Sequence, residues 1–148
     1  MKREELVEGY EAFFLRYPWS IFGTLTFGSK PDSFIANNIF RRWIDEVDEG
    51  CPSVNLPWRS IYKKATGTLR WVRVTETGKF GDHLHYHVLL GGLRNSSKYP
   101  LLLLWNDLAG DAVISYFNPR RNGIRYMLKT VEPGRHFEID FQLPVGFK

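Results

Sequence analysis

Residues 83–90 read His-Leu-His-Tyr-His-Val-Leu-Leu, and this alternation is the strongest single constraint on the fold. Successive side chains of a strand point to opposite faces. His83, His85 and His87 therefore share one face, and Leu84, Tyr86, Val88 and Leu90 share the other. The apolar face must pack on helices, which leaves a row of imidazoles at rigid spacing. Leu69 to Thr77 reads as a second strand, and Gly78 to Asp82 between the two is short and holds two glycines. The pair should form an antiparallel hairpin.

Other elements follow from periodicity and breakers. Leu6, Tyr10, Phe13, Phe14 and Tyr17 recur at helical spacing, so Arg3 to Arg16 reads as a helix that Pro18 ends. Ser20 to Phe27 is a strand, followed by a turn over Gly28 to Asp32. From Ser33, Ile35, Ile39, Trp43 and Val47 step by four, and Gly50 is placed to stop that helix. Cys51 to Thr68 reads mostly as loop, with a short helix around Ser60 to Ala65. Pro100 and Gly110 bracket another helix, and Asp111 to Phe117 is a short strand. Asn118-Pro119 suits a helix start, with the helix expected to reach about Thr130 before Glu132-Pro133-Gly134. Phe137, Ile139, Phe141 and Leu143 alternate with polar residues as a half-buried strand. The expected fold is α+β: a central five-stranded, mostly antiparallel sheet with helices packed on one face.

Composition bounds the functional classes. The chain has 148 residues, which suits one domain over 1–148. Its 43% apolar residues, with 11 Phe, 5 Trp and 7 Tyr, can bury a real core. The longest apolar run, Leu101 to Trp105, is far short of a membrane span, so no membrane partner is expected. No secretory apolar region follows the charged start Lys2-Arg3-Glu4-Glu5, and Cys51 is the single cysteine. An intracellular, reducing location is the default. Net charge is +4, unevenly placed. Cys51 to Val74 carries Arg59, Lys63, Lys64, Arg70 and Arg73 with no acid. Ala112 to Val131 carries Arg120, Arg121, Arg125 and Lys129, again with no acid. Two acid-free basic stretches suit a polyanionic partner.

Two groups carry chemistry. Two His at i and i+2 on a strand can chelate a divalent ion when a neighbouring strand supplies a third ligand. Glu76, on the preceding strand, is the candidate, with Asp82 and His83 as alternatives. The cupin and zincin patterns are absent, and one cysteine leaves no multi-Cys zinc site. The second group is Tyr126-Met127-Leu128-Lys129, which sets a phenol and an ammonium one helical turn apart. A nucleophilic Tyr needs a stabilised phenolate and an electrophile, which a metal-bound phosphate provides.

Three blocks occur in order: Ile21-Phe22-Gly23-Thr24-Leu25-Thr26-Phe27, then His85-Tyr86-His87-Val88-Leu89-Leu90, then Tyr126-x-x-Lys129. Over about residues 20–130 the chain resembles the His-hydrophobic-His (HUH) endonucleases, in particular single-tyrosine rolling-circle replication initiators (Rep) of viruses and plasmids. The resemblance implies an RRM-like fold with a five-stranded antiparallel sheet. It implies metal ligation by His85, His87 and Glu76, with Mg²⁺ or Mn²⁺ as the ion. It implies Tyr126 as the nucleophile and Lys129 as the motif's lysine. His83-Leu84-His85 also fits the pair, but the following Val-Leu-Leu favours His85 and His87. Thr24, Leu25 and Thr26 receive no catalytic role. No phosphate-loop motif is present in this chain, so no helicase domain is expected in it.

The implied activity is site-specific nicking and joining of single-stranded DNA at a replication origin or hairpin, in the host cytoplasm or a eukaryotic nucleus. Host replication proteins would be further partners. Arg59, Lys63, Lys64, Arg120, Arg121 and Arg125 are the expected DNA contacts, with Trp58, Tyr62 or Trp71 stacking on bases. The alternatives are a single-Tyr transposase of the same superfamily, a non-catalytic nucleic-acid-binding module, and an unrelated metal enzyme acting on a small molecule.

Overall fold

The computed structural model describes residues 1–53, 68–77, 83–93, 98–134 and 137–144. Five strands form one sheet: β1 (Ile21–Thr26), β2 (Arg70–Glu76), β3 (His85–Gly91), β4 (Ala112–Tyr116) and β5 (Glu138–Gln142). Their order is β4-β1-β3-β2-β5, and every pairing is antiparallel. Among the described residues the α-helices are α1 (Arg3–Phe14), α2 (Ser33–Asp48), α3 (Tyr99–Leu108) and α4 (Gly123–Met127). The α+β architecture with a five-stranded antiparallel sheet is the one expected. No helix among the described residues is long and apolar enough to cross a membrane.

The helices cover both faces of the sheet rather than one. Ile21, Leu25, Trp71, Tyr86, Val88 and Leu90 form a core with α2 and α3. Val72, Val74 and Leu89 form a second core with Val7 and Phe14 of α1, and with Ile124, Met127 and Leu128. The second core lies under the imidazole row. The His face is thus polar only at one end, and Leu89 continues it as an apolar surface.

Local signals set the ends of α2. Asp32 caps it by accepting from the Ile35 N–H at 2.8 Å. Beyond its C-terminus, Gly50 takes φ 85° and Cys51 φ 58°. The buried stripe is Ala36, Phe40, Trp43, Ile44 and Val47, while Ile35 is exposed. Steps of four drift off a 3.6-residue repeat, so a stripe of mixed three- and four-residue steps tracks the sheet.

The expected helix from Pro119 to about Thr130 is broken. A 3₁₀ turn spans Pro119–Arg121, Asn122 adopts a left-handed conformation (φ 53°), and α4 runs only from Gly123 to Met127. The Asn118 side chain caps the 3₁₀ turn by accepting from the Arg120 N–H at 3.0 Å. Asn tolerates the left-handed region better than most residues, which lets the chain turn at position 122.

Two cations of the first basic stretch are interior. Arg73 is buried between the rings of Phe40 and Tyr86 and donates to Asn37 Oδ1 and Asp140 Oδ2, each at 2.8 Å. Arg70 is buried and donates from Nε to the Pro18 carbonyl at 2.7 Å. Trp71 is 1% exposed and belongs to the core, so it offers no stacking surface.

Candidate metal and tyrosine site

The hairpin register brings together a candidate metal-binding cluster. Glu76 pairs with His85, and Val74 pairs with His87. Glu76, His85 and His87 bring one ligand atom each within 4.8 Å of one another. Glu76 Oε2 lies 2.8 Å from His87 Nε2, and Oε1 lies 3.4 Å from His85 Nε2. Adjacent ligands around a hard ion with bonds near 2.1 Å sit about 3 Å apart. The two carboxylate–imidazole separations are of about that size, so these residues could hold one ion between them. A carboxylate with two imidazoles is a donor set that could hold a divalent ion.

His83 is described and exposed, but it precedes β3 and lies outside this cluster. The row of three imidazoles therefore shortens to two on the strand. Asp82 lies outside the described residues.

A hydroxyl not assigned from sequence completes the cluster. Thr24 on β1 pairs with His87, and its Oγ1 lies 3.1 Å from His87 Nδ1. Glu76 as a carboxylate accepts from Nε2–H, so the neutral ring accepts from the Thr24 hydroxyl at Nδ1; a cation held at Nε2 would instead need Nδ1–H to donate to that oxygen. The signal was in the sequence: Thr24 and Thr26 alternate on a strand beside the His strand. Only the pairing register shows which Thr meets which His.

Electrostatics hold His87 and Glu76 in ligand-competent forms. His87 is 1% exposed. Burial pushes its pKa below the ordinary histidine value and outweighs the opposing pull of Glu76. Burial alone would raise the Glu76 carboxyl. The His87 hydrogen bond and the charges of His85, His87 and Lys129 outweigh burial and lower it. A neutral imidazole beside a carboxylate is the state a cation requires.

Tyr126 and Lys129 stand over this cluster. The Tyr126 ring lies 5.5 Å from the His87 ring, edge to face, and is half exposed. Its other side meets Phe22 of β1 at 6.2 Å. Lys129 lies just past α4, where its N–H donates to the Tyr126 carbonyl at 3.2 Å. That single turn keeps the two side chains together although the helix has ended. Lys129 Nζ lies 4.2 Å from the Tyr126 ring centroid and 3.7 Å from Glu76 Oε2.

The expected DNA-contact residues separate. Arg120 and Arg121 are exposed on the 3₁₀ turn, and Arg121 lines a cleft of about 320 Å³ with Phe22, Tyr116 and Tyr126. Arg125 is engaged elsewhere: it donates to Glu4 at 2.7 Å and Glu11 at 3.0 Å, tying α4 to α1. These carboxylates raise its pKa further. Arg59, Lys63, Lys64, Trp58 and Tyr62 lie outside the described residues.

In comparisons with known proteins, no family model, curated protein or solved structure matches the chain.

Proposed function

We propose that this chain is a metal-dependent endonuclease that nicks and rejoins single-stranded DNA through a 5′-phosphotyrosine link, as the resemblance to rolling-circle initiators implies. One observation carries the reading. A carboxylate, two imidazoles, a half-exposed phenol and an ammonium converge at one end of the sheet, with the Tyr126 ring 5.5 Å from a ligand imidazole.

Glu76, His85 and His87 would hold Mg²⁺ or Mn²⁺. When bound, the ion supplies positive charge to the scissile phosphate and to the negative charge that develops on its oxygens. Tyr126 supplies the nucleophilic oxygen. Its bond to phosphorus forms as the bond to the 3′ oxygen breaks. The phenol proton passes to solvent, and the leaving oxygen takes up a proton to become a 3′-OH. One phosphodiester replaces another, so joining needs no ATP. Lys129 faces the Tyr126 ring and Glu76, where its charge would attract a phosphate. Thr24 holds the His87 ring in its ligating orientation.

The test is incubation with a diverse pool of single-stranded oligonucleotides and Mn²⁺, read on a denaturing gel. A protein–DNA adduct is expected from wild type and from neither Tyr126→Phe nor an EDTA control. Absence of an adduct from wild type, together with absence of Mn²⁺ binding by calorimetry, would replace this reading with a non-catalytic nucleic-acid-binding module.

A further inference from the structure

Phe22, Thr24 and Thr26 alternate along β1 and share one face. Phe22 meets Tyr126, Thr24 meets His87, and Thr26 borders a cavity with His85. The phenol and the cavity therefore lie toward opposite ends of this row, with the metal ligands between them. From Phe22 to Thr26 the strand rises about 13 Å.

The cavity has a volume of about 280 Å³ and is lined in part by Phe27, Ser29, Lys30, His83 and Leu84. No carboxylate is among the described residues that line it. Its β1 wall is rigid. Thr26 donates from N and Oγ1 to the Asp111 carbonyl at 2.8 and 2.9 Å, and Gly28 N donates to the Ala109 carbonyl at 2.9 Å. Trp105 Nε1 donates to the Thr26 carbonyl at 2.8 Å. Gly110 permits this approach, because a Cβ there would fall 2.7 Å from the Thr26 oxygen. The size sits at the lower edge of small-ligand clefts, near 300 Å³, which suits one nucleotide and not a duplex. An ammonium and a hydroxyl suit a phosphate, the exposed His83 ring offers a surface for a base, and Phe27 and Leu84 close the cavity from the core side.

Resting on the nicking reading, we infer that this cavity is the subsite for the nucleotide on the 5′ side of the scissile bond, the one that leaves with the free 3′-OH. In an in-line displacement the entering and leaving oxygens lie on opposite sides of phosphorus. Tyr126 enters from the Phe22 side of the ligands. The 3′ oxygen therefore departs toward His85 and the cavity, and its nucleotide is held there for joining. Lys30 and His83 are positioning residues in this scheme, and the third histidine of the run gains a function.

A short oligodeoxythymidylate ending in 4-thiothymidine at its 3′ end tests the assignment by photo-cross-linking to Tyr126→Phe protein in EDTA. Cross-links are expected in peptides covering residues 26–31 or 83–85, weakened several-fold by Lys30→Ala and by His83→Ala. Cross-links concentrated on Phe22 or on residues 116–126, or none above background, overturn the assignment. Cross-linking needs neither metal nor phenol, so it is independent of the chemistry. A wild-type adduct with cross-links elsewhere sinks the subsite alone. Cross-links at His83 without any wild-type adduct sink the nicking reading and leave a site for a DNA 3′ end. In the joining direction, Lys30→Ala and His83→Ala should raise the half-saturating concentration of a 3′-OH acceptor about tenfold, with the maximal rate nearly unchanged. An unchanged half-saturating concentration also overturns the proposal.

Discussion

Thr24 contributes one oxygen, 3.1 Å from His87 Nδ1, and that contact orients the ring whose Nε2 faces the carboxylate. Outer partners of this kind commonly change metal affinity by about 10–100-fold. Thr24→Val, which keeps the shape and removes the hydroxyl, should weaken Mn²⁺ binding by about that factor in calorimetry, while Thr24→Ser retains it. Equal affinities in wild type and the Val variant would remove Thr24 from the site. His87 and Glu76 make a prediction of defined sign. Both pKa values are lowered in the fold, so the unfolded chain binds the proton first as pH falls. The His87 contribution is fully present above about pH 6.5 and is lost as pH falls through its folded value. The Glu76 contribution follows at more acid pH. The melting temperature of the metal-free protein should therefore drop between about pH 7 and pH 5, and His87→Gln should flatten that drop. An equally steep profile in the variant would contradict the burial argument.

At the scale of elements, the segment carrying Tyr126 depends on a turn rather than on a long helix. Asn122 holds φ 53°, and α4 has only five residues. Such a helix is marginal alone, so its place comes from the burial of Ile124 and Met127 and from the Arg125 bonds to α1. Asn122→Ala should cost about 1 kcal/mol in denaturant unfolding, because the left-handed region is unfavourable for a Cβ-bearing residue other than Asn or Asp. Asn122→Gly should cost less. A neutral Asn122→Ala would mean that the segment relaxes to the continuous helix that periodicity alone predicts. The hairpin strands behave differently. Their register is secured on both faces, since a one-residue slip would exchange Val72, Val74 and Leu89 for Arg73 and Tyr86.

At the scale of the whole molecule, some of the cations counted in the two basic stretches are not free at the surface. Arg70 and Arg73 are buried, and Arg125 is held by Glu4 and Glu11. Arg120 and Arg121 stand exposed on the 3₁₀ turn, and Arg121 lines the cleft that Tyr126 borders. Replacing both with Ala should weaken single-stranded DNA binding and reduce the slope of log K against log salt by about 1.4, at about 0.7 for each phosphate left unneutralised. Arg125→Ala should leave that slope unchanged and lower the melting temperature instead. A slope that responds to Arg125 alone would reverse the assignment of these cations.

Much of the fold was legible along the chain, because alternation and helical spacing are local properties. The run His85 to Leu90 made a strand, Glu76 fell opposite His85 once the hairpin closed, and Lys129 followed Tyr126 by one turn. Other features depended on partners distant in sequence. Alternation separates two faces but does not say what covers each, so it gives no sign that α1 and α4 lie under the imidazole face. Charge counts do not distinguish a solvated Arg from Arg73, whose partners Asn37 and Asp140 come from α2 and β5. Thr24 gained its place beside His87 only through the register of β1 on β3. Side-chain periodicity belongs to the backbone conformation of a single segment, whereas burial, ion pairing and ligand orientation belong to pairs of segments. Those pairs exist only after the chain has folded its distant segments together.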